Sequence, residues 1–300
     1  MKKTNNLNLN PMWVTGFTDA EGCFSVILTK RPNLKWRIMV SFEINLHLKD
    51  LSILYSIRDF FGVGTVYSPP NRSLCVYRVS KIDDLINVII PHFLNYPLLT
   101  HKYSDFVLWS KVVNIISVKD HLTTAGFDTI LTHYASINRG MSSKVLSEFP
   151  DIVGVERVKN TNLDTTTLLN PFWLSGFVAG DGGFSVGLRP GTNSLDIFYF
   201  RFHIAQHYRD VELMNKFIQF FECGNVNVRI KDSRCDFYVQ DFNKIYNNII
   251  PHFDSYLLQN IKHLDFADFR KAAELYKTDS KNNGEALKLI INNMNSKRVH

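Results

Sequence analysis

Glu21 and Asp181 are the residues of this sequence best placed to do chemistry. Each stands directly before a glycine, Gly22 or Gly182, at the end of a segment that occurs twice. NPMWVTGFTDAEGCFSV begins at Asn10 and NPFWLSGFVAGDGGFSV at Asn170, an offset of 170 − 10 = 160 residues. Each segment reads as a short helix with Asn at the N-cap, Pro at the first helical position and a glycine stop. A carboxylate in the last turn of a helix opposes the macrodipole, at a cost of a few tenths to about 1 kcal/mol. Local stability therefore does not explain two of them. A divalent cation would offset both the dipole end and the repulsion between the acids, and Mg²⁺ favours one or two carboxylates, retained waters and phosphate oxygens. The pair points to metal-assisted chemistry on a phosphodiester. The plainer account, an acid capping a domain interface or meeting a basic residue, suits one isolated acid better than two at equivalent positions.

The elements that must hold these acids are legible from the same repeat. FFGVGTV from Phe60 matches FFECGNV from Phe220, IIPHF from Ile89 recurs from Ile249, and Lys102 aligns with Lys262, all at the one offset. A period of this length lies far outside the 20–50 residues of solenoid repeats, so the unit is a duplicated domain. In each copy a hairpin follows the helix, with strands near Cys23–Arg31 and Lys35–His47, then near Gly183–Arg189 and Asp196–His207. Trp36, Ile38, Val40, Phe42 and Ile44 alternate with polar neighbours, as Phe198, Phe200, Phe202 and Ile204 do in the second copy, the period of a half-buried strand. Helices are expected over Leu48–Phe60 and Val211–Phe221, second hairpin turns near Pro69–Asn71 and Asp232–Arg234, and further helices from Ile82 and Phe242. The expected fold class is α+β: two pseudo-symmetric α-β-β-α-β-β-α domains, with helices on one face of each antiparallel sheet. The expected domains are residues 1–145 and 169–300, joined by a Ser-, Asp-, Asn- and Thr-containing linker over 146–168. Gly16 and Ala20, like Gly176 and Gly180, are small residues four apart on one helix face. Such a face suits close approach of another helix, and pairing the two copies would bring the acids together at the domain seam.

Bulk properties limit the classes of protein this can be. The chain has 300 residues, 45% hydrophobic, with a formal net charge of +6 and a pI near 9.0. That balance favours a polyanionic partner, though only mildly. The four cysteines, Cys23, Cys75, Cys223 and Cys235, form no C-x-x-C pair and read as reduced thiols in an intracellular protein rather than a zinc site. No apolar run approaches the ~18 residues of a membrane helix, so no membrane partner is expected. The start, MKKTNNLNLN, is basic but lacks a signal peptide's apolar core. Phosphate-loop, dinucleotide and zinc-protease motifs are missing. His92 and His252 repeat within IIPHF, and read as packing residues.

VTGFTDAEG (Val14–Gly22) and LSGFVAGDG (Leu174–Gly182) resemble two copies of the LAGLIDADG motif of homing endonucleases, of the intron-encoded, single-chain, double-motif type. The resemblance covers most of the chain, and Leu122–Ser142 is similar to the helical segment that often closes the first half in that family. It implies that Glu21 and Asp181, at the motif's eighth position, bind Mg²⁺, with Mn²⁺ able to substitute and Ca²⁺ supporting binding without cleavage. Lys102 and Lys262 match a family lysine near the active site, where a cation would stabilise phosphate charge or help deprotonate water. Gln206 matches a polar strand-end position that organises active-site water, although its counterpart is Leu46. The sixth motif position is Asp19 in the first copy and Ala179 in the second, which leaves the two halves inequivalent.

If the apolar strand faces pack on helices, the opposite faces form a saddle for double-stranded DNA. Strand parity assigns Ser25, Thr29, Arg31, Lys35, Arg37, Asn45 and Arg78 to it, and Ser185, Arg189, Arg201, His203, Asn227, Arg229 and Lys231, with Arg234 nearby. The expectation is a monomeric, site-specific DNA endonuclease with a long asymmetric target, organellar (mitochondrial) by resemblance. Two alternatives stand beside it. One is a maturase that binds intron RNA and assists splicing, with reduced or no cleavage. The other is a duplicated scaffold without catalysis, which leaves the paired acids unexplained.

Overall fold

The computed structural model describes residues 8–30, 36–163, 168–190, 196–279 and 282–297. The chain divides into two compact units, Met1–Asp164 and Thr165–His300. The first begins with α1 (Pro11–Glu21), whose N-cap Asn10 accepts a hydrogen bond from the Met12 amide at 2.9 Å. β1 (Gly22–Lys30) starts at the next residue and pairs with β2 (Trp36–His47). After α2 (Leu51–Phe61) a second hairpin, β3 (Thr65–Tyr67) and β4 (Leu74–Val79), joins the sheet. The strand order is β1-β2-β4-β3, antiparallel throughout. The unit closes with α3 (Ile82–Asp84), a π-helical turn over Leu85–Ile89, α4 (Ile90–Asn95), α5 (Lys102–Ser117), α6 (Thr124–Ser136) and α7 (Ser143–Glu148).

The second unit repeats this plan. α8 (Pro171–Asp181) leads into β5 (Gly182–Pro190) and β6 (Asp196–His207), then α9 (Val211–Phe221), β7 (Asn225–Arg229) and β8 (Arg234–Val239). Its sheet order is β5-β6-β8-β7. α10 (Phe242–Lys244), a π turn over Ile245–Ile249, α11 (Ile250–Ser255), α12 (Lys262–Asp279) and α13 (Gly284–Asn293) follow. Both π turns stand just before a proline, Pro91 or Pro251. Proline has no amide to give the carbonyl four residues back, and its ring crowds that carbonyl. The looser turn accommodates the fault at the same place in each half.

Each sheet packs one face on its helices through an aromatic core. Phe24 lies 5.1–5.4 Å, ring to ring, from Phe42, Phe93, Phe106 and Trp109. Phe184 does the same with Phe202, Phe253, Phe266 and Phe269 at 5.3–5.4 Å. These are the same positions at an offset of 160, so the α+β expectation holds in both units. Cys75, Cys223 and Cys235 are buried and Cys23 is half-buried, all as free thiols. Burial pushes each thiol pKa up, which keeps them protonated and inert. No described helix is long and apolar enough to cross a membrane.

Residues in the segment expected as a linker run along the first unit. Ser136 Oγ donates to Val155 O at 2.6 Å, Arg157 pairs with Asp105 at 2.9 Å, and Asn160 Nδ2 donates to Leu98 O and Thr100 O at 3.2 Å. One repeated device lies off the 160-residue register. Asn138 and Asn295, both left-handed, give a side-chain N–H to Phe24 O and Phe184 O at 2.8 and 3.1 Å. Each also gives its backbone N–H to an aspartate, Asp105 or Asp265.

Candidate active site and nucleic-acid interface

The last turns of α1 and α8 are built alike. Glu21 and Asp181 are the final helical residues, and the strand begins at the following glycine. Gly22 and Gly182 are extended (φ −75° and −84°), not left-handed, so backbone freedom is not their reason. Space is the reason. A methyl group at Gly22 would sit 2.5 Å from Thr18 Cγ2 and 2.9 Å from Thr18 O, and one at Gly182 would meet Val178 Cγ1 and O at the same distances.

The repeated lysines reach these helix ends. Lys102 Nζ donates to Thr18 O at 2.9 Å and Ala20 O at 3.3 Å. Lys262 Nζ donates to Val178 O at 3.1 Å, and to Gly180 O and Gly182 O at 2.6 Å. A cation on the last-turn carbonyls, of which Thr18 O and Val178 O also accept from the Gly22 and Gly182 amides, opposes the negative end of the helix dipole. It therefore offsets the local penalty that the acids impose. Gln206 Nε2 donates to Asp181 Oδ2, so this strand residue and the acid meet in the second unit. Its counterpart Leu46 is buried and apolar.

Asp19 has a scaffolding role that sequence reasoning left unassigned. It is 3% exposed and accepts from Leu99 N at 2.8 Å, Thr100 N at 3.1 Å and Thr100 Oγ1 at 2.6 Å. It thereby fixes the loop that leads into Lys102. With Ala179 in its place, the second unit keeps the direction of the bond but changes the acceptor: Asn260 Nδ2 donates to the backbone carbonyl Ala179 O at 2.8 Å. His92 and His252 are buried, with Nε2 3.1 Å from Thr15 Oγ1 and Ser175 Oγ. Those hydroxyls donate to Tyr96 O and Tyr256 O, so the rings must supply the Nε2–H proton. Burial lowers both histidine pKa values to about 4. They are neutral struts of the motif helices.

The sheet faces turned away from the helices carry most of the residues assigned by parity. Ser25 faces Ser41 across β1 and β2, and Thr29 faces Arg37. Asn45 and Arg37 are exposed, and Arg78 is half-buried beside Glu43. In the second sheet Ser185 faces Arg201, Arg189 faces Ile197, and His203 stands between Gly183 and Tyr238. A Cβ at Gly183 would lie 2.4 Å from His203 Cε1, so the glycine makes room for the imidazole. Asn227 faces Asp236 and Arg229 faces Arg234. Arg201, His203, Asn227, Arg229, Arg234, Asp236 and Tyr238 line an open cavity of about 440 Å³. Lys231 is a correction: β7 ends at Arg229, and Lys231 is exposed in the tight turn Ile230–Asp232 rather than on the strand. Arg31 and Lys35 lie outside the described residues. The acids among these cations were not anticipated. Glu43 pairs with Arg78 at 2.9 Å, and Asp236 with Arg229 at 2.6 Å and Arg234 at 3.0 Å. Glu43 already stood on the polar face of its strand, which was the available signal.

The fold and site define a duplicated α+β protein in which each half ends its first helix on an acid and caps it with a lysine. The chain belongs to the LAGLIDADG endonuclease family, whose profile matches residues 14–113 and 174–273. It is 37% identical over 298 residues to a probable intron-encoded endonuclease 2 of Neurospora crassa, covering 96% of this chain and 65% of that protein. It is 36% identical over 275 residues to a probable intron-encoded endonuclease 3 of the same fungus, covering 90% and 51%. The chain thus spans only about half to two-thirds of those relatives' length. Among solved structures, the meganuclease I-SmaMI bound to uncleavable DNA is similar with a TM-score of 0.91 and 33% identity, covering 98% of this chain and 99% of that one. The homing endonuclease I-GzeII in complex with its DNA target is similar with a TM-score of 0.89 and 34% identity, covering 97% and 100%.

Proposed function

We propose that this chain is a monomeric, site-specific endonuclease that hydrolyses both strands of a long asymmetric DNA duplex, with divalent metal held by Glu21 and Asp181. The observation that carries the reading is the repeated helix end, an acid and a lysine placed alike in two copies behind a polar sheet face. Its donors are carboxylate oxygens, a hard set that fits Mg²⁺ better than zinc. Among the described residues no cluster of three or more His, Cys, Asp or Glu forms an all-protein cage. A site that is completed by water and phosphate does not need one. When bound, the metal supplies Lewis-acid stabilisation and a water of lowered pKa. The protein's own groups do the rest. Lys102 and Lys262 keep positive charge beside the acids, Gln206 orients Asp181, and the outer sheet faces bind the duplex. The intron-encoded fungal relatives make a mitochondrial setting the natural one.

The test is selection of cut sites from a randomised duplex library with Mg²⁺, using Ca²⁺ as the control. One long asymmetric motif cut only with Mg²⁺ supports the proposal. Enrichment of a motif that is bound but never cut would move the reading to a binding or splicing protein.

A further inference from the structure

Acids are costly on a surface meant for a polyanion, because like charges repel and neither Glu43 nor Asp236 helps hold phosphate. Both are nevertheless well shielded, with side chains 12% and 8% exposed, and both are engaged by arginine. Glu43 also accepts from Ser41 Oγ at 2.6 Å, so its carboxylate is held from two sides. Arg78 gives Glu43 its side edge: Nε donates to Oε1 at 2.9 Å and Nη2 to Oε2 at 3.3 Å. That leaves outside the ion pair the end-on edge, formed by Nη1 and the second Nη2 proton. This edge matches the O6 and N7 acceptors of guanine in the major groove. Asp236 works differently, bridging two arginines with one oxygen each: Oδ2 accepts from Arg229 Nη2 at 2.6 Å and Oδ1 from Arg234 Nε at 3.0 Å.

We propose that Glu43 and Asp236 are positioning residues for sequence readout, holding Arg78 and the Arg229–Arg234 pair in fixed orientation to recognise guanine. The inference rests on the DNA-binding part of the proposed function and names the base that each cluster reads. An arginine on a phosphate needs no such brace, since charge alone serves. A bidentate base contact does, because the fork must arrive in one orientation. The two braces also occupy different places. The sheet positions equivalent to Glu43 and Arg78 are His203 and Tyr238 in the second unit, and Asp236 stands at the equivalent of Val76. The two halves therefore read guanine at different steps from the centre of the target.

The experiment is enrichment of bound duplexes from a randomised library with the full chain in Ca²⁺, comparing the unmodified protein with Glu43→Gln, Arg78→Lys and Asp236→Asn. Glu43→Gln and Arg78→Lys should lower the preference for guanine by on the order of tenfold at one shared base pair, leaving other positions unchanged. Asp236→Asn should act at different base pairs, in the other half of the site. Unchanged base preferences, or different base pairs for Glu43→Gln and Arg78→Lys, would overturn the proposal. So would weakening spread evenly over every position with a shallower salt dependence, the mark of a phosphate contact. Arg78→Lys keeps the charge and serves as the readout if Glu43→Gln does not fold. Binding profiles that change as expected without cutting in Mg²⁺ would remove the endonuclease reading and leave this one standing. Cutting with unmoved base preferences would remove only this one.

Discussion

The two motif helices end at the same point in the fold and are secured to the corresponding loop through different acceptors, a side-chain carboxylate in one and a backbone carbonyl in the other. In the first unit, the buried Asp19 carboxylate gathers three donors from the loop before Lys102. In the second, that acid is Ala179, and Asn260 gives a proton to the helix backbone instead. Thr100 and Asn260 occupy equivalent positions and both also accept from the lysine's own amide, at 3.1 and 3.3 Å. The Lys–carbonyl contacts survive the exchange. The difference teaches that the sixth motif position fixes the lysine loop, and that this task can be handed to a neighbour. The eighth position keeps its carboxylate in both copies.

The comparison is broken most severely at the acids. Glu21→Gln or Asp181→Asn should each reduce double-strand cutting by a factor on the order of 10³ or more, since several kcal/mol of charge stabilisation is withdrawn. DNA binding in Ca²⁺ should persist, and double-strand cutting retained by either variant would sink the metal assignment. Next in size is the scaffold. Asp19→Ala orphans buried donors and should cost about 3 kcal/mol in denaturant melts. Ala179→Asp should destabilise too, and adding Asn260→Thr should recover part of the loss by importing the first unit's arrangement. An additive double mutant would show that the two solutions are not interchangeable.

A third prediction concerns the feature in which the halves should agree. His92 and His252 each have a folded pKa of about 4 against 6.5 for the free side chain. Between those values the unfolded chain binds protons that the folded one refuses, so their stabilising contribution is full above about pH 6.5 and falls as the pH drops toward 4. From pH 7 to 5 each half should lose about 2 kcal/mol. Unfolding measured across that range in His92→Gln and His252→Gln variants should show a matching loss of pH dependence. The smallest effect belongs to Gln206. The two DNA strands should be cut at unequal rates, since Gln206 donates to Asp181 in the second unit where the first unit has the apolar Leu46. Gln206→Leu, which copies Leu46, should change the rate on one strand about tenfold. Equal single-turnover rates on both strands in the unmodified protein would remove this source of asymmetry.

Much of this was legible in the sequence because duplication provides an internal control. Helix ends, hairpins and the lysine pair repeat at a fixed offset, and strand alternation separates the core face from the polar face. Three things were not legible. The asparagine clamps, Asn138 and Asn295, are 157 residues apart, so register comparison passes over them. The Glu43–Arg78 and Asp236–arginine pairs depend on which strand lies beside which, and local pattern does not encode cross-strand pairing. The glycine after each acid reads as a helix stop, but its cause is steric room against Thr18 or Val178, which only the packed turn reveals.

Because α1 passes into β1 with no loop between them, the acid and the strand form one rigid rule. Ser25, Ile27 and Thr29 fall on the outer face at steps of about 7 Å measured from the helix end. On the proposed reading, the spacing between the bond that is cut and the bases that β1 touches is set by strand rise alone. Re-targeting this half then means exchanging side chains along the rule, since no hinge exists by which its zero could be moved.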